Sequence, residues 1–285
     1  MKITLLGTGS PPPSLERAGP SQILEIDGQR ILVDCGPGTT YQLLKAGIHL
    51  AQVKQLFFTH HHMDHNVDFP HFLIASWGLG RRSLGVFGPR GTREWVEAFL
   101  RLYEEDIRQR MTLGRPEQGI FDIKFEELQN GSEFAGEGWK VKAIKARHST
   151  LTLSYRFTSS GKSVVISGDT GYFEGFIPFA QGANLLVLEC TLGKSVELPD
   201  DQVKENDLYK YYKKRRDPKV WQTLHEGYGH HTPEEAGLVA SQAGVKKLVL
   251  THISPFRDLE DMKKQAKKNF SGEVIIGEDL MAIEI

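Results

Sequence analysis

The sequence predicts an α/β (α+β) chain with a two-layered sheet core and helices outside. Strand-type apolar runs recur in both halves, and helical stretches follow only some of them. No low-complexity linker divides the 285 residues, so one domain over residues 1–285 is expected. Hydrophobic residues at 39% and charged residues at 25% are ordinary for a soluble globular chain and exclude disorder. A formal net charge of −1 gives no global attraction toward nucleic acid or anionic membrane. Two cysteines, Cys35 and Cys190, allow one bridge at most, and a reducing cytoplasm is the simplest compartment. The N-terminal apolar run is too short for a signal peptide, and no stretch approaches the ~18 apolar residues of a membrane span.

Each element has its own signal. Lys2–Gly7 alternates and is stopped by Gly7-Thr8-Gly9-Ser10 and three prolines; without a third glycine this is a strand-end turn rather than a dinucleotide fingerprint. Ile23–Ile26 and Arg30–Asp34 flank Asp27-Gly28, a hairpin signal. A helix follows Cys35-Gly36-Pro37-Gly38, with Thr39 or Thr40 as N-cap and Gly47 beyond its end. Gln55–Thr59 is a core-type strand, and Val67–Trp77 and Arg93–Arg110 are helical. In the second half Trp139–Arg147, Leu153–Phe157, Ser163–Ser167, Leu185–Glu189, Lys247–Thr251 and Met281–Ile285 are strands; Pro233–Ala243 and Asp258–Asn269 are helices.

Eleven histidines are many, and His60, His61, His62, His65 and His71 fall between positions 60 and 71. The recurrent event is a ligand-type residue at the C-terminal end of an apolar strand: His60, His62, Asp64 and His65 after Thr59, His148 after Arg147, Asp169 after Gly168, and His252 after Thr251. Strand ends on one sheet edge converge, so these groups can build one site. Five imidazoles and two carboxylates suit Zn²⁺ first, with Mn²⁺ or Fe²⁺ also accommodated. Seven groups exceed one tetrahedral ion and fit two divalent ions sharing a carboxylate and a bridging hydroxide. In His60-x-His62-x-Asp64-His65, alternate residues point the same way, so His60 and His62 take one ion, Asp64 and His65 turn to the other, and His61 points elsewhere.

These residues resemble the metallo-β-lactamase superfamily, whose signature is HxHxDH followed by a separate His, Asp and His. The likeness covers nearly the whole chain and includes Leu5-Leu6-Gly7-Thr8-Gly9 and Val33-Asp34-Cys35-Gly36-Pro37-Gly38. The branch is similar to ribonuclease Z, through His230-His231-Thr232-Pro233-Glu234-Glu235-Ala236 and Leu250-Thr251-His252-Ile253-Ser254-Pro255. The resemblance implies a four-layer αββα sandwich, with His60, His62 and His148 on one metal, Asp64, His65 and His252 on the other, and Asp169 bridging. It also implies a metal-dependent phosphodiesterase in which Asp64 and Asp169 are catalytic carboxylates and His230 is the acid that serves the leaving group. His225 and His231 are nearby substitutes for His230. A homodimer is the form the branch suggests.

Departures from the family pattern shape the expected substrate. Only 20 residues separate His148 from Asp169, leaving no room for the tRNA-gripping arm of ribonuclease Z, so a small-molecule or nucleotide-type ester is placed ahead of nucleic acid. Met63 replaces the usual glycine before Asp64, and no cysteine stands in the second metal site, which disfavours β-lactam hydrolysis. Lactone, thioester or aryl sulfate ester hydrolysis stays open to the same site, as does a non-catalytic metal-binding sensor. Asp34 and Asp68 are candidate partners for metal-bound imidazoles, Asp34 equally a helix cap, and His71 a packing or supporting residue. The insertion at about 192–229, with Tyr209–Arg216 basic and aromatic, is either a lid, a nucleic-acid contact, a dimer element or a solvated face. Arg108, Arg110 and Arg115 are placed on a surface helix ahead of an anion-recognising cover, and Lys263, Lys264, Lys267 and Lys268 on a solvated face.

Overall fold

The computed structural model describes residues 1–198, 209–210 and 218–285. Two seven-stranded sheets face each other. The first runs in the order β14 (Met281–Glu284), β1 (Lys2–Gly7), β2 (Ser21–Ile26), β3 (Gln29–Val33), β4 (Val53–Phe57), β5 (Gly85–Pro89), β6 (Lys124–Leu128). The second runs β13 (Glu273–Ile276), β12 (Lys247–Thr251), β11 (Leu185–Glu189), β10 (Lys162–Ile166), β9 (Leu153–Ser159), β8 (Trp139–Lys145), β7 (Glu133–Gly136). Each sheet joins an antiparallel half to a parallel half, the parallel pairs being β3 to β6 and β10 to β13.

Alternation along each strand sorts side chains between layers. Phe57, Leu185, Val187 and Val164 point between the sheets, where Phe57 stacks on Phe87 at 4.4 Å and meets Tyr155 and Phe157 edge-on. Leu56 and Phe58 point outward to the helices α1 (Thr39–Lys45), α2 (Phe69–Gly78), α3 (Thr92–Leu102) and α4 (Glu104–Thr112). Leu186, Leu188 and Val165 face the other helical layer, formed by α5 (Phe176–Ala180), α7 (Pro233–Gln242) and α8 (Leu259–Lys267). A short helix α6 (Pro218–Gln222) continues into a π-helical turn, Thr223–Gly229, ahead of α7. The αββα sandwich is therefore present, and among the described residues no helix is long and apolar enough to cross a membrane.

Several local expectations are corrected. Gly38 occupies the cap of α1 and Thr39 is its first residue; Asp68 Oδ2 accepts from Thr40 N at 2.6 Å, taking the cap's part from a distance. Asp68 Oδ1 pairs with exposed His71, so Asp68 supports no candidate ligand. Arg93–Arg110 is two helices broken at Tyr103, which serves as the last cap of one and the first of the other. β5, β6 and β7 lack a strong apolar signal, and β13, reading EVII, is too short to stand out; β6 reads KFEEL with three exposed residues and is held by pairing to β5 and by Leu128 and Phe125 packing into the two cores. Arg108 and Arg110 pair with Glu104 and Asp106 one turn back, and Arg115 lies over Trp77. Of the 192–229 insertion, residues 199–208 and 211–217 lie outside the described residues, including most of the basic aromatic run. Tyr209 is buried, its hydroxyl donating to Val196 O and its ring edge-on to Phe256.

Candidate metal centre

β8 is antiparallel to β9, which is antiparallel to β10, so β8, β10, β11 and β12 all finish at the same edge. β4 finishes opposite them in the facing sheet. His60, His62, Asp64 and His65 leave β4 through a loop and a 3₁₀ turn at Met63–His65; His148 follows β8, Asp169 follows β10 and His252 follows β12. Two of these turns hold unusual backbone. His252 itself adopts φ 59°, and Gly168 takes φ 60° where a Cβ would sit 2.8 Å from Thr59 Cβ.

All seven predicted groups meet. One ligand atom each from His60, His62, His148 and Asp169 lies within 4.8 Å of the others, and the same holds for Asp64, His65 and His252. Asp169 stands between the two groups: Oδ1 is 3.2 Å from His65 Nε2 and 3.4 Å from His252 Nε2, while Oδ2 is 3.8 Å from His148 Nε2 and 3.9 Å from His60 Nε2.

Hydrogen bonds behind the imidazoles decide which nitrogen each presents. Thr59 Oγ1 donates to Asp34 Oδ2 at 2.8 Å and so accepts from His60 Nδ1 at 3.0 Å. Thr191 Oγ1 likewise donates to Glu189 Oε2 at 2.9 Å and accepts from His252 Nδ1 at 2.8 Å. His65 Nδ1 donates to Asp34 Oδ2 at 2.9 Å, and His148 Nδ1 to Gly229 O at 3.2 Å. Four rings therefore turn Nε2 inward. Burial drives the pKa of His60 well below that of a free imidazole and lowers His62 and His148 as well, keeping a lone pair free on each at neutral pH.

The donor set fits divalent metal. His65 Nε2 and His252 Nε2 lie 3.3 Å apart, with Asp64 Oδ2 3.5 and 3.3 Å from them. Lone pairs and carboxylates converging in a buried place call for a cation. The same demand shows in His65: burial opposes its charge, but Asp169, Asp64 and Asp34 outweigh it and hold its pKa well above the ordinary value. Burial likewise opposes ionisation of Asp169, yet His252, His65 and His60 hold its carboxyl well below the usual range.

His230 sits beside this centre, grouped with Asp169 and His252, its ring 5.1 Å from that of His148. Its Nδ1 is 3.4 Å from Glu189 Oε2. Burial works against a charge on His230, but Glu189, then Asp169 and Asp64, raise its pKa to about 9. Neither neighbour takes its place: His225 binds Glu235 at 2.8 Å, and His231 donates from Nδ1 to Thr170 O at 2.6 Å. His61 turns away, its Nε2 donating to Thr92 Oγ1 and its ring lying on Trp95.

Glu189, Thr59 and Thr191 have no place among the sequence candidates. Glu189 carries the signal used for the others, an acid at the end of an entirely buried strand, and it also accepts from His231 N at 2.7 Å. Thr59 and Thr191 carry none, because a threonine ending a strand is commonplace.

Residues 29–253 match the family model described as the Beta-lactamase superfamily domain. The curated Ribonuclease Z of Mycobacterium bovis (strain BCG / Pasteur 1173P2) is 32% identical over 297 residues, covering 100% of this chain and 98% of the relative. Among solved structures, human tRNase Z, short form, superposes with a TM-score of 0.69 at 25% identity, covering 100% of this chain and 99% of its own. The metallo-β-lactamase fold protein YhfI from Bacillus subtilis gives a TM-score of 0.74 at 23% identity over 99% of each chain, a likeness of fold. The mycobacterial alignment sets 297 positions against 285 residues, which leaves no room for a long inserted arm in that relative either. The chain belongs to the β-lactamase superfamily, in its ribonuclease Z-like branch.

Proposed function

We propose that the chain is a dinuclear metallo-hydrolase of phosphodiesters, with His60, His62 and His148 holding one divalent ion, Asp64, His65 and His252 the second, and Asp169 spanning both. The observation that carries this reading is the placement of Asp169, each of whose oxygens faces a different pair of imidazole nitrogens. Zinc suits the imidazole-rich set best. Ions so held supply Lewis acidity and an ionised water as nucleophile near neutral pH.

The chain's own residues do the rest. Asp34, Thr59, Glu189 and Thr191 fix the rings so that little reorganisation is needed. Asp64, next to His252, is the carboxylate placed to take a proton on the attacking side. His230, kept protonated by Glu189, donates a proton to the departing alkoxide. The relatives named for RNA substrates favour a nucleotide-type diester over a lactone, thioester or sulfate ester.

The test is hydrolysis of bis-p-nitrophenyl phosphate, p-nitrophenyl sulfate and a simple lactone by metal-replete protein, with elemental analysis alongside. Two metal equivalents and turnover confined to the phosphodiester are expected, and Asp169→Ala should abolish turnover and reduce bound metal. Preferential turnover of the sulfate or the lactone overturns the phosphodiester assignment. Full metal content with no turnover at all points to a sensor instead.

A further inference from the structure

A cavity of about 350 Å³ opens directly beside the candidate centre, with His230 and His252 in its wall. That size lies within the range of small-ligand sites. Its walls combine apolar and polar groups. Trp221 and Leu224, from α6 and the π-helical turn, line it together with Pro11, Pro12 and Pro255. Trp221 is 42% exposed, whereas Trp77 and Trp139 are buried in the cores.

The Trp221 ring is held in place. The His225 ring stacks on it at 4.9 Å and 23°, and His225 is fixed in turn by Glu235 at 2.8 Å. Glu235 belongs to the capping box that starts α7, two residues after His231. One face of the indole is thus covered by a ring anchored to a rigid element, and the indole is part of the cavity wall. An immobilised aromatic ring in a wall that also carries prolines suits a flat ring, because stacking needs no specific donors and loses little side-chain freedom. Lys194, Ser195, Ser254 and Arg257 add polar groups to the wall, with Arg257 itself bound to Gly193 O and Ser195 Oγ; Glu197 lies on the same wall.

We propose that this cavity receives a heteroaromatic base, stacked on Trp221, as part of the alcohol that leaves. The side is set by His230: the group that protonates the departing oxygen forms the boundary between the centre and the slot. The hydrolysed bond is the phosphorus–oxygen bond to that alcohol; water supplies the new oxygen on phosphorus, and the alcohol leaves with the proton from His230. The substrate is then a diester with a nucleoside on the leaving side. The inference rests on the phosphodiester reading, and the experiment separates the two.

Adenylyl-adenosine and two counterparts, each lacking the base on one side, are compared as substrates of the metal-loaded enzyme. Loss of the leaving-side base should lower kcat/KM about 10- to 100-fold, mainly through KM, and loss of the other base much less. Trp221→Ala should bring the intact dinucleotide down to the rate of its leaving-side abasic counterpart without changing the rate of that counterpart. Trp221→Phe should restore most of the difference. Adenosine should quench tryptophan fluorescence in the parent and not in Trp221→Phe. Equal rates with and without the leaving-side base overturn the slot and leave the hydrolase standing. If none of the three is cleaved, the phosphodiester reading falls, and the fluorescence titration alone decides whether a base is bound: no quench by adenosine overturns the slot as well.

Discussion

Thr191 is a small side chain with a large consequence, since its one hydroxyl proton goes to Glu189 and its lone pair is left for His252 Nδ1. Replacing it by valine keeps the shape and removes the relay. The expected result of Thr191→Val is roughly 10–100-fold weaker metal retention, measured by competition with a chelator, with the fold unchanged by circular dichroism. Glu189 acts on a second histidine. Its carboxylate keeps His230 protonated up to about pH 9, so an acid role for His230 is fulfilled below that pH and fails above it. Glu189→Gln removes the charge, lowers the His230 pKa and moves the alkaline limb of the pH–rate profile to lower pH; an unmoved limb would refute the acid role. At this scale the sequence was generous with ligands and offered one of their supports, Asp34, which holds His65, while Thr59, Thr191 and Glu189 carried no such reading. A histidine after a strand advertises itself, but the orientation of its ring depends on hydroxyls that only the folded backbone brings close.

Helix α7 shows how an element can invert a familiar rule. Gly237 lies in its interior, where alanine is ordinarily more stable by about 1 kcal/mol. Here an added Cβ would meet Ala266 O at 2.1 Å, because α7 packs against α8 backbone to backbone at this point. Gly237→Ala should therefore destabilise the protein by about 1–3 kcal/mol in urea unfolding, against its propensity. The amphipathic helices and the buried parallel strands were legible because burial on one or both faces imposes a period on the sequence. The break at Tyr103 was not, because the charged pattern of Glu104–Arg110 continues a helix as readily as it starts one. The edge strands β6 and β7 were hidden for a related reason: half their residues are exposed, so no apolar run marks them.

Across the whole molecule, the candidate ligands are divided between sheets. Four come from the loop after β4 in the first sheet, and His148, Asp169 and His252 from the second. Ions held by these residues would fasten one layer to the other, and their removal would leave two carboxylates and five imidazoles crowded in a buried place without the cations they call for. Dialysis against a chelator should lower Tm by roughly 5–15 °C, recovered on adding Zn²⁺. No change on removal would mean that the sheets hold together without that fastening. The two-layered plan was legible from the recurrence of strands in both halves, while strand order was not, since β14 returns from the far end of the chain to pair with β1.

That return sets a schedule for synthesis. Met281–Glu284 hydrogen-bonds along Leu5–Lys2, and Asp279 accepts from Thr8 N, Ala18 N and Gln42 Nε2, so β1 waits for a strand that is synthesised long after it. Until then the nascent chain carries an open β1 edge beside an N-terminal loop without its carboxylate anchor. Such an edge invites pairing with another chain, so it is during translation, rather than after release, that this protein most needs a chaperone.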